Sequence, residues 1–286
     1  MISIRIRGGL GNQLFQYATA FSIAKRNNEK LGLEITSYQT REWPRYELKK
    51  LHVSPDQVIN PRFGKSLFDR AFLNKVKKRW KIGLFTKRFA ESGEVTKYHS
   101  DVMDIKRNTY LNGFFQNEQY FSDYREELIR QFTPNIELEE KSIKWINEIH
   151  KCKSVAIHVR RGDYIKIGCG IGMDYYDSAI EAIANCVKQP HFFVFSDEIE
   201  FCKDYFKKYP QYEFSFIDDI PESENKDINE FFVMSKCRNQ IIANSSFSWW
   251  AAWLNNNEQK VVVAPVVGMW TKDFYPQGWS TIDIEG

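Results

Sequence analysis

The chain opens with alternating apolar and polar residues, the pattern of a β-strand with one buried face. Three isoleucines occupy every second position over residues 2–7, which is the period of a strand. A glycine-containing loop, residues 8–11, ends this strand. Asn12 is then placed to cap a helix with apolar side chains at helical spacing, and Asn27 marks the end of that helix. Extended structure resumes over residues 31–35, so the opening is a βαβ unit.

Residues 40–135 show no regular period. Prolines, a basic stretch and an aromatic segment at residues 110–124 interrupt one another there. Proline favours turns and ends regular elements. The sequence therefore predicts only mixed helix and loop in this part of the chain.

Regular alternation of helices and strands returns near residue 135. The predicted strands are 155–159, 192–195, 213–217, 240–243 and 261–264. The predicted helices lie near residues 138–149, 175–187, 198–208, 228–237 and 247–254. Strands alternating with helices of this length imply a parallel sheet with right-handed crossovers. We therefore predict an α/β fold of two domains, residues 1–150 and 151–286.

The composition of the 286-residue chain excludes several classes of protein. Hydrophobic residues make up 43% of the chain and aromatic residues 15%, enough for a sizeable core and against wholesale disorder. The five cysteines include no Cys-x-x-Cys pair, so neither a disulfide framework nor a zinc site is indicated. No apolar stretch resembles a signal peptide or reaches membrane-spanning length. We expect a cytoplasmic protein.

The net charge of +3 conceals one strongly basic segment. Residues 65–88 contain nine Lys or Arg and one acid, a segment charge of +8, which leaves −5 for the rest of the chain. Apolar side chains recur there every fourth residue, which predicts an amphipathic basic helix. Such a helix suits an anionic surface such as the bacterial inner membrane. A solvated helix docked on its own core is the alternative, and we expect no nucleic-acid partner.

Polar residues follow the predicted strands of the second half. Ligands of open parallel sheets bind beyond the carboxyl ends of the strands, so these residues are expected to meet in one crevice. They are His158, Arg160, Arg161 and Asp163 after one strand, Asp197 and Asp218-Asp219 after the next two, and Asn244, Ser245, Ser246 and Phe247 after the fourth.

Two of these groups are suited to bind phosphate. Arg160 and Arg161 supply permanently charged, planar donors. Asn244-Ser245-Ser246 precedes a predicted helix, whose N-terminus favours an anion. The alternatives are ordinary ion pairs of the arginines with Asp163 or a glutamate, and ordinary helix capping.

A metal site is not indicated. The five histidines show no close pairing, and Asp218-Asp219 lacks the Asp-x-Asp spacing that bridges magnesium to a nucleotide diphosphate. Two arginines and a helix N-terminus can neutralise a diphosphate leaving group. We expect neither a metal nor another cofactor.

Two motifs have competing interpretations. Gly9-x-Gly11 resembles part of a dinucleotide fingerprint, but Leu14 stands where the third glycine is required. A dinucleotide-dependent oxidoreductase or epimerase therefore stays an alternative, as does a non-catalytic nucleotide- or glycan-binding protein. The tryptophans around Trp250 are interpreted as core more readily than as a sugar platform.

Four segments together resemble the α-1,2-fucosyltransferases of glycosyltransferase family 11. They are Gly8-Gly-Leu-Gly-Asn-Gln-Leu-Phe-Gln-Tyr-Ala18, His158-Val-Arg-Arg-Gly-Asp-Tyr164, Phe195-Ser-Asp197 and Asn244-Ser-Ser-Phe-Ser-Trp-Trp250. The resemblance implies a GT-B-like fold of two facing Rossmann-like domains, the first mainly binding the acceptor and the second mainly binding GDP-L-fucose. It also implies inverting, metal-independent transfer to the 2-hydroxyl of a galactose-terminated glycan, in O-antigen or surface glycan synthesis.

The resemblance implies roles for individual residues. Arg160 and Arg161 match arginines that contact the donor phosphates, with Arg160 nearer the breaking glycosidic bond. His158 lies near the guanine or ribose, Asp163 orients an arginine, and Asp197 bonds to the nucleoside.

Two loops complete the implied donor site. Asn244, Ser245, Ser246 and Phe247 match a phosphate-binding turn, whereas Gly9, Gly11 and Asn12 match an N-terminal loop that closes on the diphosphate and the sugar. The catalytic base stays open between Asp163, His158 and a carboxylate of the first half. The sequence does not identify the acceptor-binding residues.

Overall fold

The computed structural model describes residues 1–39, 43, 45–59 and 87–284. The chain divides into two compact units, Met1–Phe132 (unit 1) and Thr133–Gly286 (unit 2). Of the basic segment 65–88, all but the last two residues lie outside the described residues. Within the described ranges, no helix is long and apolar enough to cross a membrane.

Unit 1 is built on a parallel sheet of five strands in the order β3-β2-β1-β5-β4. The strands are β1 (Ile2–Arg5), β2 (Leu31–Glu34), β3 (Gln57–Ile59), β4 (Lys87–Ala90) and β5 (Thr109–Asn112). The helices are α1 (Leu10–Arg26), α2 (Thr36–Gln39) and α3 (Arg125–Gln131). The β1-α1-β2 opening confirms the predicted βαβ unit.

Helix α1 begins three residues earlier than the sequence predicts. Gly9 is its N-cap, and Asn12 lies in the first turn, so the prediction that Asn12 caps the helix is wrong. Gly8 has φ +85°, a backbone conformation open to glycine, and it turns the chain into the helix without a side-chain cap. Asn27 is the C-cap, as predicted.

The prediction of mixed helix and loop over residues 40–135 missed three strands. β3, β4 and β5 span only three or four residues each. Strands this short carry too few residues to establish a period of two. Their order in the sheet comes from pairing with β1 and β2, which a local pattern does not reveal.

Unit 2 has a parallel sheet of six strands in the order β11-β10-β9-β6-β7-β8. The strands are β6 (Ser154–Val159), β7 (His191–Ser196), β8 (Glu213–Phe216), β9 (Asn239–Ile241), β10 (Val262–Val266) and β11 (Ser280–Asp283). The helices are α4 (Glu140–Lys151), α5 (Gly162–Lys166), α6 (Met173–Cys186), α7 (Ile199–Tyr205), α8 (Lys226–Lys236) and α9 (Ser246–Leu254). The alternation confirms the predicted parallel α/β architecture, and β11 and α5 are additional to it.

Helix α4 belongs to unit 2, whereas the predicted domain boundary at residue 150 would place it in the first half. Trp145 on α4 donates its indole N–H to Asp219 Oδ1 at 2.6 Å and packs edge-on against Phe193 of β7. Glu139, just before α4, donates its N–H to Asn229 on α8. These contacts explain why the division of the chain falls at Phe132.

The tryptophans of α9 form part of the core of unit 2. Trp249 and Trp250 are fully buried, and Trp253 is 2% exposed. Trp249 also packs against Phe274 and Trp279. Helix α9 is therefore held by apolar packing, and the core interpretation of these tryptophans is confirmed.

Candidate active site

The strand order of unit 2 reverses between the paired strands β6 and β9, which places the expected ligand crevice beyond their carboxyl ends. The chain proceeds from β6 to β8 on one side and from β9 to β11 on the other. Parallel α/β sheets bind ligands beyond the strand ends at this point of reversal. His158 and Arg160 lie at the end of β6, and Asn244 and Ser245 follow β9. The His158 ring lies 5.8 Å from that of Phe247, so the structure brings the two predicted segments together.

Arg160 is held by two carboxylates at this strand end. Its Nη2 lies 2.8 Å from Asp163 Oδ1, and its Nη1 lies 3.3 Å from Asp197 Oδ2. The guanidinium also lies 5.4 Å from the centre of the Tyr164 ring. With 34% of the side chain exposed, Arg160 is oriented by the protein while solvent, or a ligand, still reaches it.

Arg161 has a different environment from its neighbour. Its Nε lies 2.9 Å from Glu198 Oε2, and its guanidinium lies 3.8 Å from the centre of the Phe201 ring. These contacts are the ordinary ion pairing that the sequence left open for the arginine pair. Phosphate binding by Arg161 stays a prediction. The greater exposure of Arg160 and its position at the end of β6 favour Arg160 for contact with a phosphate.

Asp197 connects the end of β7 to the loop after β6. Its Oδ1 accepts the backbone N–H of Arg161 at 3.0 Å, and its Oδ2 pairs with Arg160. A Cβ atom on Gly162 would lie 2.9 Å from Asp197 Oδ2, so the close approach requires glycine there. This geometry gives Asp197 a positioning role, and its predicted contact with a nucleoside stays a prediction.

His158 is a buried and neutral imidazole. Burial, with the nearby charge of Arg160 adding to it, lowers its pKa to about 3. Its Nδ1 atom is buried and has no hydrogen-bond partner among the described residues. A neutral ring with an unused nitrogen can bond to a ligand, but a pKa this low makes it a weak base at neutral pH.

The turn after β9 contains the N-cap residue of α9 and a hydrogen-bond acceptor that has no partner in the described ranges. Ser245 is the N-cap of α9 and its Oγ accepts the N–H of Phe247 at 3.4 Å, which confirms the capping alternative for this residue. Asn244 donates its Nδ2 to the carbonyl of Cys169 at 2.9 Å, while its Oδ1 is buried without a partner in the described ranges. Ser246 begins α9. The positive end of this helix therefore faces the same crevice.

The N-terminal residues predicted to bind the donor lie in unit 1. Gly9 and Gly11 lie at the start of α1, and Asn12 accepts a hydrogen bond from Gln116 Nε2 at 2.6 Å. They lie at the carboxyl end of β1, which is the ligand-binding edge of that sheet. Their contact with a donor diphosphate stays a prediction.

Sequence reasoning missed Glu230 on α8. Burial raises its pKa to about 7, and Lys226 lies 3.8 Å away. The next residue, Phe231, packs 5.3 Å from Phe247 of the crevice. A glutamate four residues after a lysine on a helix looks like a solvated pair, so only the packing of α8 reveals that the Glu230 side chain is half-buried.

No group of three or more His, Cys, Asp or Glu in the described ranges is arranged to hold a metal ion. The positive charge at the crevice comes from Arg160 and the N-terminus of α9. Metal independence stays a prediction.

Comparison with solved structures identifies the fold. NodZ alpha-1,6-fucosyltransferase from Bradyrhizobium, soaked with GDP-fucose, superposes with a TM-score of 0.52 over 88% of this chain and 92% of that one, at 13% identity. A mutant of Arabidopsis thaliana FUT1 in complex with GDP superposes with a TM-score of 0.50 over 91% of this chain and 69% of that one, at 11% identity. At these identities the likeness concerns the fold alone. The fold is of the GT-B type, two α/β units each built on a parallel sheet.

The sequence comparisons identify the family. The model of Glycosyl transferase family 11 matches residues 1–282, and the chain belongs to that family. It is 35% identical to an Escherichia coli alpha-1,2-colitosyltransferase, over 93% of this chain and 91% of the relative. It is 28% identical to the Escherichia coli O-antigen biosynthesis glycosyltransferase WbnK, over 91% and 92%. A mouse galactoside 2-alpha-L-fucosyltransferase, Sec1, is 23% identical over 90% of this chain and 65% of the relative.

Proposed function

We propose that the protein transfers L-fucose from GDP-β-L-fucose to the 2-hydroxyl group of a galactose residue, with inversion at the anomeric carbon. The observation that carries this proposal is the crevice expected beyond the carboxyl ends of β6 and β9. The guanidinium of Arg160, which is paired with Asp163, lies there. His158 and Asn244 each have a buried polar atom without a hydrogen-bond partner in the described part of the chain. Buried polar atoms are usually hydrogen-bonded, so these two favour a polar ligand.

In the proposed step, the bond between the anomeric carbon of fucose and the β-phosphate oxygen of GDP breaks. A bond to the acceptor oxygen forms from the opposite face, and the acceptor hydroxyl gives up its proton. Negative charge develops on the departing GDP, where Arg160 and the backbone N–H groups at the start of α9 stabilise it. This supply of positive charge supports a mechanism without a metal.

The donor's nucleoside has two candidate contacts beside Arg160. His158 and Phe247 present adjoining rings, and the neutral imidazole can exchange a hydrogen bond with guanine or ribose. We assign Ser245 and Ser246 to the diphosphate because they lie at the N-terminus of α9. Asp163 orients Arg160 in this scheme.

His158 is removed from the candidates for the proton acceptor of the reaction. The lowered pKa of His158 makes it a poor base. Asp163 is 61% exposed and paired with Arg160, so it keeps the role of candidate base along with a carboxylate of unit 1. The base must come within hydrogen-bond reach of the acceptor hydroxyl.

We assign acceptor binding mainly to unit 1 and donor binding mainly to unit 2. The name of the relative WbnK, an O-antigen biosynthesis glycosyltransferase, supports a bacterial surface glycan as the acceptor. The name of the mouse relative supports a galactoside.

A second donor is favoured by a specific observation. The 35% identical relative is named for colitose transfer with the same α-1,2 linkage. Colitose is L-fucose without its 3-hydroxyl group, so the two donors would use the same crevice and differ by one hydrogen-bonding group. A site built to bond that hydroxyl discriminates strongly against the donor lacking it.

The test combines purified protein with each GDP sugar and a panel of galactose-terminated acceptors: lactose, lacto-N-biose, N-acetyllactosamine and Gal-β-1,3-GalNAc. Acceptor-dependent GDP release, with a fucosylated product, supports the proposal. Release only with GDP-colitose would replace fucose by colitose. GDP binding without any transfer would favour a non-catalytic protein, and binding of NAD in place of GDP would favour the oxidoreductase alternative.

A further inference from the structure

Unit 1 has its own point of strand reversal, between β1 and β5. The chain proceeds from β1 to β3 on one side, while β5 and β4 lie on the other. This is the position at which open parallel sheets bind ligands. The segments that follow β1 and β5 are residues 6–9 and 113–117. Gly9 belongs to the N-terminal loop predicted to close on the donor, whereas Arg7 and Phe114 have no assigned role in the donor crevice of unit 2.

Arg7 and Phe114 meet across this point. The guanidinium of Arg7 lies 4.4 Å from the centre of the Phe114 ring and covers one of its faces. Phe114 is half-buried, whereas the next residue, Phe115, is fully buried. The packing of Phe115 against Phe89 and Tyr120 accounts for the core of this loop. Within the described residues, the Phe114 ring contacts the Arg7 guanidinium and is only half-buried.

Two polar atoms near the same strand ends are candidates for hydrogen bonds to a ligand. Arg7 Nε, a donor, and Asn112 Oδ1, an acceptor, are both buried and have no hydrogen-bond partner among the described residues. A sugar hydroxyl both donates and accepts a hydrogen bond. One donor and one acceptor together complement the hydroxyl groups of a saccharide.

Glu91 holds the loop in which Phe114 lies. Its carboxylate accepts the backbone N–H groups of Phe114 at 2.6 Å and Phe115 at 2.9 Å. A Cβ atom on Gly113 would lie 2.5 Å from Glu91 Cβ, so glycine lets the carboxylate approach. Phe115 has φ +51°, an unfavourable conformation for a side chain of this size. The two bonds to Glu91 offset that strain.

The loop is also tied to the start of α1. Gln116 donates its Nε2 to Asn12 Oδ1 at 2.6 Å, which leaves the amide oxygen of Gln116 as a further acceptor for hydroxyls. An aromatic ring with a few converging polar groups is the usual lining of a small-molecule site.

We propose that Phe114 is the platform on which the galactose residue of the acceptor stacks, with Arg7 and Asn112 bonding its hydroxyl groups and Glu91 acting as a positioning residue for the loop. The inference rests on the proposed function, since it names the recognition site for that reaction's acceptor. Arg7 covers one face of the ring, and the sugar takes the other. The neighbouring carboxylate of Glu91 offsets the charge of Arg7, which favours a neutral sugar over an acidic one.

The experiment measures the KM of acceptor and donor separately for Phe114→Ala and Phe114→Leu. We use the best acceptor of the four disaccharides named above. Loss of the ring raises the KM of the acceptor about tenfold, equivalent to ~1.4 kcal/mol. The KM of GDP-fucose and the acceptor-independent release of GDP stay unchanged. Tyr124→Ala, at another half-buried aromatic of unit 1 that packs against Phe21 of α1, is the matched control and leaves both KM values unchanged.

Arg7→Lys and Glu91→Gln complete the test. Lysine keeps the charge of Arg7 but not the planar contact, so the acceptor KM rises. Glu91→Gln loses one of the two acceptor oxygens and raises the acceptor KM without changing the donor KM, whereas Glu94→Gln, at an exposed carboxylate three residues later, has no effect.

Unchanged acceptor KM values in folded Phe114→Ala and Phe114→Leu would overturn the inference while leaving the transfer reaction intact. Failure of the wild-type enzyme to transfer sugar would instead refute the proposed function. Saturation-transfer NMR with methyl β-D-galactopyranoside gives a readout that does not depend on turnover. Equal signals for wild type and Phe114→Ala, or no wild-type signal, would also overturn the inference.

Discussion

Replacement of Arg160 by alanine tests the charge stabilisation at the heart of the proposed mechanism. The structure predicts that the variant folds. Both ion pairs of Arg160 are partly exposed, with 34% of its own side chain, 61% of Asp163 and 24% of Asp197 accessible. Pairs of this kind contribute about 0–1 kcal/mol to stability. A small decrease in Tm is therefore expected.

The effect on catalysis is expected to be much larger. Removal of one donor that stabilises transition-state charge typically costs about 10²–10³ in kcat. The assay is the initial rate of acceptor-dependent GDP release at saturating GDP-fucose, together with Tm by calorimetry. Arg238→Ala is the matched control, because its side chain is exposed in the same unit and lies outside the strand ends of the crevice. Wild-type turnover in folded Arg160→Ala would refute the assignment.

Three further predictions concern the neighbourhood of Arg160. Arg161→Ala is expected to lower Tm because the contacts of Arg161 with Glu198 and Phe201 are lost. The same substitution is expected to raise the Kd of GDP less than Arg160→Ala does. A larger increase in Kd than that of Arg160→Ala would show that Arg161 binds phosphate directly. The pKa of His158 is lowered to about 3, so between that value and its ordinary value of 6.5 the unfolded chain binds a proton that the native protein does not. Its contribution makes stability rise with pH across this window, and His158→Gln is expected to flatten this rise in denaturant titrations; an unchanged slope would contradict the buried neutral imidazole. The pKa of Glu230 is raised to about 7 from 4.5, so its contribution to stability is present below 4.5 and is lost as the pH rises through 7, and Glu230→Gln is expected to be more resistant to alkaline unfolding than wild type.

The second unit was the more predictable part of the fold. Its strands have buried, apolar runs such as Phe192–Phe195, separated by helices of ordinary length, so a local pattern is sufficient to find them. In unit 1, β4 begins with exposed Lys87 and Arg88, and its identity as a strand depends on pairing with β5. Tertiary context decides such short elements.

The sequence predicted which residues belong to the candidate site but not which contacts their side chains make. Strand-end position predicted that the segments around His158 and Phe247 meet, and their rings lie 5.8 Å apart. The binding roles of these segments stay predictions. The different environments of Arg160 and Arg161 follow from Glu198, the N-cap of α7, and Phe201 within α7. No local pattern in the segment around Arg160 contains that information.

The central claim is most directly tested by the structure of the reaction product. Wild-type protein is incubated with GDP-fucose and the galactose-terminated disaccharides, and the product linkage is determined by two-dimensional NMR. The account predicts an α-L-fucosyl group on the 2-hydroxyl of galactose, with inversion of the donor's β configuration. A fucosyl group at another position or with retained configuration, or GDP binding without any product, would contradict it.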